Sequence, residues 1–163
     1  MRRRPLLIVF AKAPLPGAVK TRLARGIGTV AAWRFYRRTL AQLLQRVARD
    51  TRWDTVVALT PDRYAQKNLR IFKGLPHTPQ GFGDLGRRMA EAFLRAGTRP
   101  AVLVGGDIPD LTRRHITEAF QALGRADAVF GPAEDGGFWL VGLRCPGRDA
   151  RRLFRRVRWS GPY

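Results

Sequence analysis

The chain has 163 residues, 45% of them apolar, which suits one domain with a hydrophobic core, residues 1–163, and leaves too little chain for a second. Its 31 Lys and Arg against 12 Asp and Glu give a formal charge of +19, a balance that favours polyanions: nucleic acid, phospholipid surface or phosphorylated small molecules. The single cysteine, Cys145, excludes an intrachain disulfide and a cysteine-built zinc site, and His77 and His115 stand too far apart to suggest a histidine-rich one.

Nearly all the cations are arginine. Only Lys12, Lys20, Lys67 and Lys73 are lysine, and the arginines run along the whole chain rather than gathering in a tail. That spread fits a compositional bias better than a dedicated nucleic-acid surface, and no specific nucleic-acid partner is expected. The opening "MRRRPLLIVFAKAP" carries an apolar run, Leu6 to Ala11, too short for a secretory signal and closed at once by Lys12. No stretch approaches the roughly 20 apolar residues of a membrane span. A soluble, cytoplasmic protein without membrane contact is expected.

In chain order, "PLLIVFAK" (5–12) has the continuous apolar character of a strand covered on both faces. "APLPGAVKTRLARGIG" (13–28), rich in Pro, Gly and cations, is predicted as loop. Residues 30–49 place Trp33, Tyr36, Leu40, Leu44 and Val47 at helical spacing, with Thr29 as a cap. "DTVVALTP" (54–61) is a second buried strand, and a weaker helical pattern covers 62–72. "PHTPQGFGDLG" (76–86) is predicted as loop, with Asp84 capping a helix that stops at Gly97. "PAVLVGG" (100–106) is the third strand. Thr112 can cap a helix ending at Gly124, with Asp110 favoured as a cap over a ligand role. "DAVFGPA" (127–133) is the fourth strand, "EDGGFWLVGLR" (134–144) a glycine turn feeding another, and "RDARRLFRRVRW" (148–159) a short helix.

Strands alternating with helices predict a mostly parallel sheet with helices on both faces. In such open sheets ligands bind outside the carboxyl ends of the strands. Three unusual loops fall at those ends: 12–28, 105–111 and 131–138. The first supplies Gly17 for a tight turn and Lys12, Lys20 and Arg22 as cations, the mixture that diphosphate recognition needs, although a solvated basic loop has the same composition. It is neither a P-loop nor a Rossmann glycine fingerprint. The second sets Asp107 directly after a core strand behind Gly105 and Gly106. A carboxylate there repels a bare phosphate, whereas a divalent cation between them reverses the sign. The third sets Glu134 and Asp135 before Gly136 and Gly137, where a carboxylate serves as general base or hydroxyl ligand, or simply marks a polar turn.

Together "FAKAPLPGAVKTRL", "GGDIPDL" and "GPAEDGGFWLVGL", with "RWSGPY" at the end, resemble a bacterial family of GT-A-like glycosyltransferases of the arsenosugar-biosynthesis type, formerly a family of unknown function, within the nucleotide-diphospho-sugar transferase superfamily. Motif order and spacing match over almost the whole chain. The resemblance implies a three-layer α/β/α, Rossmann-like GT-A fold. It implies that Lys12, Gly17, Lys20, Arg22 and Gly106 bind nucleotide, that Asp107 holds Mg²⁺ or Mn²⁺, and that Glu134, Gly136 and Gly137 border the substrate beside a catalytic Asp135. The implied partners are a nucleotide-sugar or nucleoside triphosphate and a small-molecule acceptor. The implied reaction is metal-dependent glycosyl transfer; nucleotidyl transfer with release of pyrophosphate is the alternative, and a basic nucleic-acid-binding domain using Trp33, Tyr36, Trp53 and Trp159 as stacking groups is the non-enzymatic one. Similar proteins continue for some tens of residues past the "RWSGPY" stretch. The expectation is therefore a truncated domain with few protein ligands for the metal, low or absent transferase activity, partly retained nucleotide binding, and apolar surface that favours self-association as a homo-oligomer or a partner.

Overall fold

The structure, a computed structural model, describes residues 4–67, 69–155 and 157. Its chain order is β1 (Leu6–Lys12), α1 (Thr21–Ile27), α2 (Thr29–Val47), β2 (Asp54–Thr60), β3 (His77–Pro79), α3 (Leu85–Ala96), β4 (Ala101–Gly105), α4 (Arg113–Ala122), β5 (Ala128–Pro132), β6 (Phe138–Leu143) and α5 (Pro146–Phe154). The six strands form one sheet in the order β3-β2-β1-β4-β6-β5. The ladders β3–β2, β2–β1 and β1–β4 are parallel, and β6 runs antiparallel between β4 and β5. This is the mostly parallel α/β fold that the alternation of elements predicts.

Side chains alternate across β1, and the alternation sorts the core into two layers. Leu7 and Val9 face Leu40, Leu43 and Val47 of α2 and Ile116 of α4. Leu6 and Ile8 face Met89 and Phe93 of α3 and Phe154 of α5. Both faces of β1 are thus covered, which is why its sequence is continuously apolar rather than alternating. Asp84 caps α3, accepting a bond from the Arg87 N–H at 2.8 Å, and Gly97 ends it at φ 65°. Tyr36 and Trp53 are buried, and the Trp33 indole donates to the Pro14 carbonyl at 2.7 Å, so these rings serve the core rather than base stacking. Trp159 and the "RWSGPY" stretch lie outside the described residues. No helix among the described residues is long and apolar enough to cross a membrane.

Several local expectations are corrected. The segment predicted as loop over 13–28 contains α1, a helix with no buried residue, so no apolar period marks it. Residues 62–72 form two short 3₁₀ turns, Asp62–Tyr64 and Arg70–Phe72, rather than a helix. The loop over 76–86 contains the three-residue edge strand β3, too short to show alternation. Asp110 caps nothing: α4 starts from Thr112 in a capping box with His115. The last helix begins earlier, with Pro146 in its first turn, and gives way at Arg155 to extended backbone.

The paired ladder of β1 and β4 ends at Phe10 opposite Gly105. One residue on, the Gly106 N–H donates to the Phe10 carbonyl at 2.7 Å. A Cβ at Gly106 would stand 3.0 Å from that carbonyl oxygen, 3.0 Å from Leu40 Cδ1 and 3.2 Å from Ala11 Cβ. Gly106→Ala should therefore destabilise the fold by about 1–3 kcal/mol through overpacking. Denaturant unfolding checks this; an unchanged midpoint would show that the strand ends can separate without cost.

Candidate active site

The strand order reverses direction at β1: β2 and β3 lie to one side, β4 to the other. At that switch point, outside the carboxyl ends of β1, β2 and β4, a cleft of about 760 Å³ opens between the two helical layers. Lys12, Lys20, Arg22, Gly106 and Asp107 line it, so five of the site residues expected from the sequence come together. Gly17 and the Glu134–Gly137 turn do not line it. Two residues that sequence reasoning missed do: Gln80 and Arg88.

Each cation reaches the cleft for a local reason. Lys12 is the last residue of β1, where β4 has already left the ladder. Tyr36 of α2 takes the place of the missing strand: its hydroxyl oxygen accepts from the Lys12 N–H at 2.8 Å and its O–H donates to the Lys12 carbonyl at 3.1 Å. Burial is the main cause that pushes the Tyr36 phenol well above its ordinary range; the backbone bond from Lys12 opposes this and the Asp107 charge adds to it. Tyr36 is therefore a neutral brace. Beyond Lys12 the chain turns over Leu15–Ala18, with the Ala18 N–H donating to the Leu15 carbonyl at 3.2 Å. Pro16 sets the first corner and Gly17, at φ 76°, supplies the left-handed second one, as a type II turn requires. Gly17 thus shapes the loop that carries Lys20.

Lys20 adopts φ 50°, the one positive φ at a non-glycine among the described residues. This left-handed residue precedes α1, and its carbonyl accepts from the Ala24 N–H at 2.9 Å to start the helix. Its side chain reaches across the cleft, where Nζ donates to Asp107 Oδ2 at 2.7 Å. Arg22 lies on the first turn of α1. On the opposite wall, buried Gln80 donates from Nε2 to the carbonyls of Ala11 at 3.1 Å and Ala58 at 2.9 Å, while its Oε1 accepts from Arg88 Nη1 at 2.8 Å. Gln80 ties the ends of β1 and β2 to the first turns of α3 and aims Arg88. Nothing in the sequence marks this arrangement, since the segment 76–86 reads as loop.

Four cations, Lys12, Lys20, Arg22 and Arg88, surround one acidic residue, Asp107, in this lining. Two of the chain's four lysines are among them. A second cavity, of about 610 Å³, lies by the amino end of β2; Asp50 and Asp54 offset two of its four arginines, so its lining carries no more net charge per residue than the chain as a whole. The charge signal therefore belongs to the cleft at the switch point. Among the described residues no three His, Cys, Asp or Glu side chains converge into a group that could hold a metal ion. The donor set at the cleft is one carboxylate, which fits a hard divalent cation such as Mg²⁺ only if water and substrate phosphate oxygens complete its shell.

The β5–β6 hairpin brings its turn to the same end of the sheet. Ala133 and Gly137 close it, with the Ala133 N–H donating to the Gly137 carbonyl at 2.9 Å, and Gly136 supplies φ 81°. Asp135 accepts from the Gly137 N–H at 3.0 Å, and Glu134, Asp135, Gly136 and Gly137 are all exposed.

A family model described as "Uncharacterized protein conserved in bacteria (DUF2064)" matches residues 43–161. The fold superposes with a TM-score of 0.85 on the crystal structure of a "putative nucleotide-diphospho-sugar transferase" from Desulfovibrio desulfuricans G20, at 33% identity over 97% of this chain and 70% of that one. More distant structures share the fold alone. One is a 4-diphosphocytidyl-2C-methyl-D-erythritol synthase, with a TM-score of 0.60 at 17% identity over 96% of this chain and 82% of that one. Another is a cytidylyltransferase from Leptospira borgpetersenii serovar Hardjo-bovis, with a TM-score of 0.60 at 18% identity over 96% and 66%. No curated protein is significantly similar in sequence.

The Tyr36 brace makes a direct prediction. Tyr36→Phe keeps the ring in the core but leaves the Lys12 N–H and carbonyl without the hydroxyl, and should cost about 1–3 kcal/mol of stability. Urea unfolding measures this; a variant as stable as the parent would show that water replaces the hydroxyl at no cost.

Proposed function

From the cleft just described and from the chain's family, since it belongs to the DUF2064 family of proteins conserved in bacteria, we propose that it is a metal-dependent glycosyltransferase that takes a nucleotide-diphospho-sugar donor, of the arsenosugar-biosynthesis type. The observation that carries this reading is the gathering of Lys12, Lys20, Arg22 and Arg88 around one carboxylate at the topological switch point. That arrangement suits a diphosphate joined to Asp107 through a divalent cation, and a neutral ligand has no use for it.

The cations bind the donor's diphosphate and stabilise the charge that develops as it leaves. An acceptor hydroxyl attacks the anomeric carbon. The bond from that carbon to the diphosphate oxygen breaks, its electron pair stays on the oxygen, and the hydroxyl proton passes to a base. Asp135 is the proposed base, with Glu134, Gly136 and Gly137 bordering the acceptor, because their turn shares the carboxyl end of the sheet with Asp107. When bound, Mg²⁺ or Mn²⁺ supplies Lewis-acid neutralisation of the diphosphate.

The fold shared with cytidylyltransferases supports a second reading, in which the same cations hold a nucleoside triphosphate and the product is pyrophosphate. Incubation with a panel of nucleotide-sugars and nucleoside triphosphates, each with a hydroxyl acceptor, separates the two: free nucleoside diphosphate supports glycosyl transfer and pyrophosphate supports nucleotidyl transfer. Lys20→Ala, Arg22→Ala and Arg88→Ala should each weaken binding of a nucleoside diphosphate by about tenfold, the loss of one charge-assisted contact, with little effect on the nucleoside. Equal losses for both ligands would assign these residues to folding. Asp107→Asn should abolish the strengthening of nucleoside diphosphate binding by Mn²⁺ without moving the melting temperature, and metal-independent binding in the parent would remove Asp107 from the role.

A further inference from the structure

The Lys20–Asp107 ion pair has a consequence for the order in which ligands load. Lys20 Nζ occupies one oxygen of Asp107, the only acidic side chain among the described residues that line the cleft, at 2.7 Å. The two side chains are 30% and 47% exposed, so the pair is open to solvent and weak enough to exchange. It is nevertheless built in: the left-handed backbone at Lys20, fixed by the start of α1, directs the side chain to Asp107 across 87 residues of sequence. A divalent cation arriving alone at Asp107 must displace this ammonium or share the carboxylate with it, and in either case meets it, with Lys12 and Arg22, as like charge. A cation arriving with a diphosphate does not, because the phosphate oxygens give Lys20 a new partner as it leaves the carboxylate.

We propose that Lys20 is a placeholder cation that keeps free divalent metal off Asp107 and releases the carboxylate only when a diphosphate arrives to accept the ammonium. This deepens the reading above and rests on Asp107 as the metal-linked carboxylate. Lys20 then has two opposed effects: it weakens binding of metal alone and strengthens binding of the metal–diphosphate complex. By linkage, whatever factor metal adds to diphosphate affinity, diphosphate adds to metal affinity, and part of that factor belongs to Lys20. Loading as a complex follows from the competition without any conformational change in the fold.

Calorimetric titrations test it with Mn²⁺ alone, with pyrophosphate alone in EDTA, and with pyrophosphate at saturating Mn²⁺, on the parent chain, Lys20→Met and Lys12→Met. Pyrophosphate presents the diphosphate without a choice of base or sugar. Lys12→Met removes the same charge from the same cleft without touching Asp107, and circular dichroism melts confirm that each variant folds. The expected result is that Lys20→Met binds Mn²⁺ alone up to about fivefold more tightly, the factor that corresponds to a half-exposed ion pair. Lys12→Met should gain clearly less, and the strengthening of pyrophosphate binding by Mn²⁺ should shrink in Lys20→Met. If Lys20→Met gains no affinity for Mn²⁺ alone, or Lys12→Met gains as much, the placeholder role is overturned while the metal reading stands. If Mn²⁺ does not strengthen pyrophosphate binding in the parent chain, the metal reading itself falls and takes the placeholder with it.

Discussion

The close approach of Gly106 to the end of β1 is the constraint on which the site depends. With the Gly106 N–H bonded to the Phe10 carbonyl at 2.7 Å and a Cβ there held to 3.0 Å from that oxygen, the chain leaving β4 is pressed against the chain leaving β1 before the two diverge. The next residue, Asp107, is thereby set within reach of Lys20, which lies eight residues beyond the end of β1. A side chain at 106 would separate the two strand ends and widen the spacing that the ion pair reports. Glycine is needed here because two backbones meet. At Gly17 and Gly136 it is needed for positive φ instead.

A charge of +19 makes attraction to anions cheap, so attraction cannot identify a site in this chain. In the cleft, three of the four cations are positioned by the fold around a single carboxylate. Tyr36 fixes the backbone of Lys12 from both its N–H and its carbonyl, and stays neutral because burial keeps its phenol protonated. Lys20 is fixed by a left-handed backbone, and Arg88 by a buried glutamine that bonds to two strand carbonyls. An exposed ion pair such as Arg114 with Glu118, by contrast, holds its side chains loosely. Preorganised donors cost less to recruit than mobile ones, and that difference distinguishes a binding site from a basic surface.

The fold was legible wherever burial imposed a period. β1, β2 and β4 are covered on both faces and appear as apolar runs; α2 and α3 carry apolar stripes at helical spacing, α3 between recognisable ends, whereas α2 starts from Gly28 with Thr29 already in the helix rather than capping it. The elements that escaped have no such imprint. α1 buries none of its residues and starts from a lysine, and β3 is a three-residue edge. The site divides in the same way. Lys12, Lys20, Arg22 and Asp107 could be named because loops at strand ends are where open sheets bind ligands. Which of them touch could not, since the Lys20–Asp107 pair is a product of sheet order. Gln80 and Arg88 were invisible because an arginine has no distinction in this composition and a buried glutamine is recognised only by its partners.

The antiparallel insertion of β6 has a bearing on how such a site is divided. A parallel crossover would return the chain to the amino end of the sheet through a helix before the next strand began. The β5–β6 hairpin instead turns at the carboxyl end, and β6 pairs beside β4 with Val104 opposite Leu140. Phe138 and the exposed turn before it therefore come level with the loop that carries Asp107, on the side away from β1. The parallel half of the sheet supplies the cations, and the hairpin half supplies an exposed acidic turn with two glycines. Under the proposed reading this assigns donor and acceptor to opposite flanks of Asp107, with the carboxylate at their boundary. The separation also answers an electrostatic need. Glu134 and Asp135, placed among the lysines, would neutralise the anion site; on the far flank they can meet an acceptor hydroxyl without competing for the diphosphate.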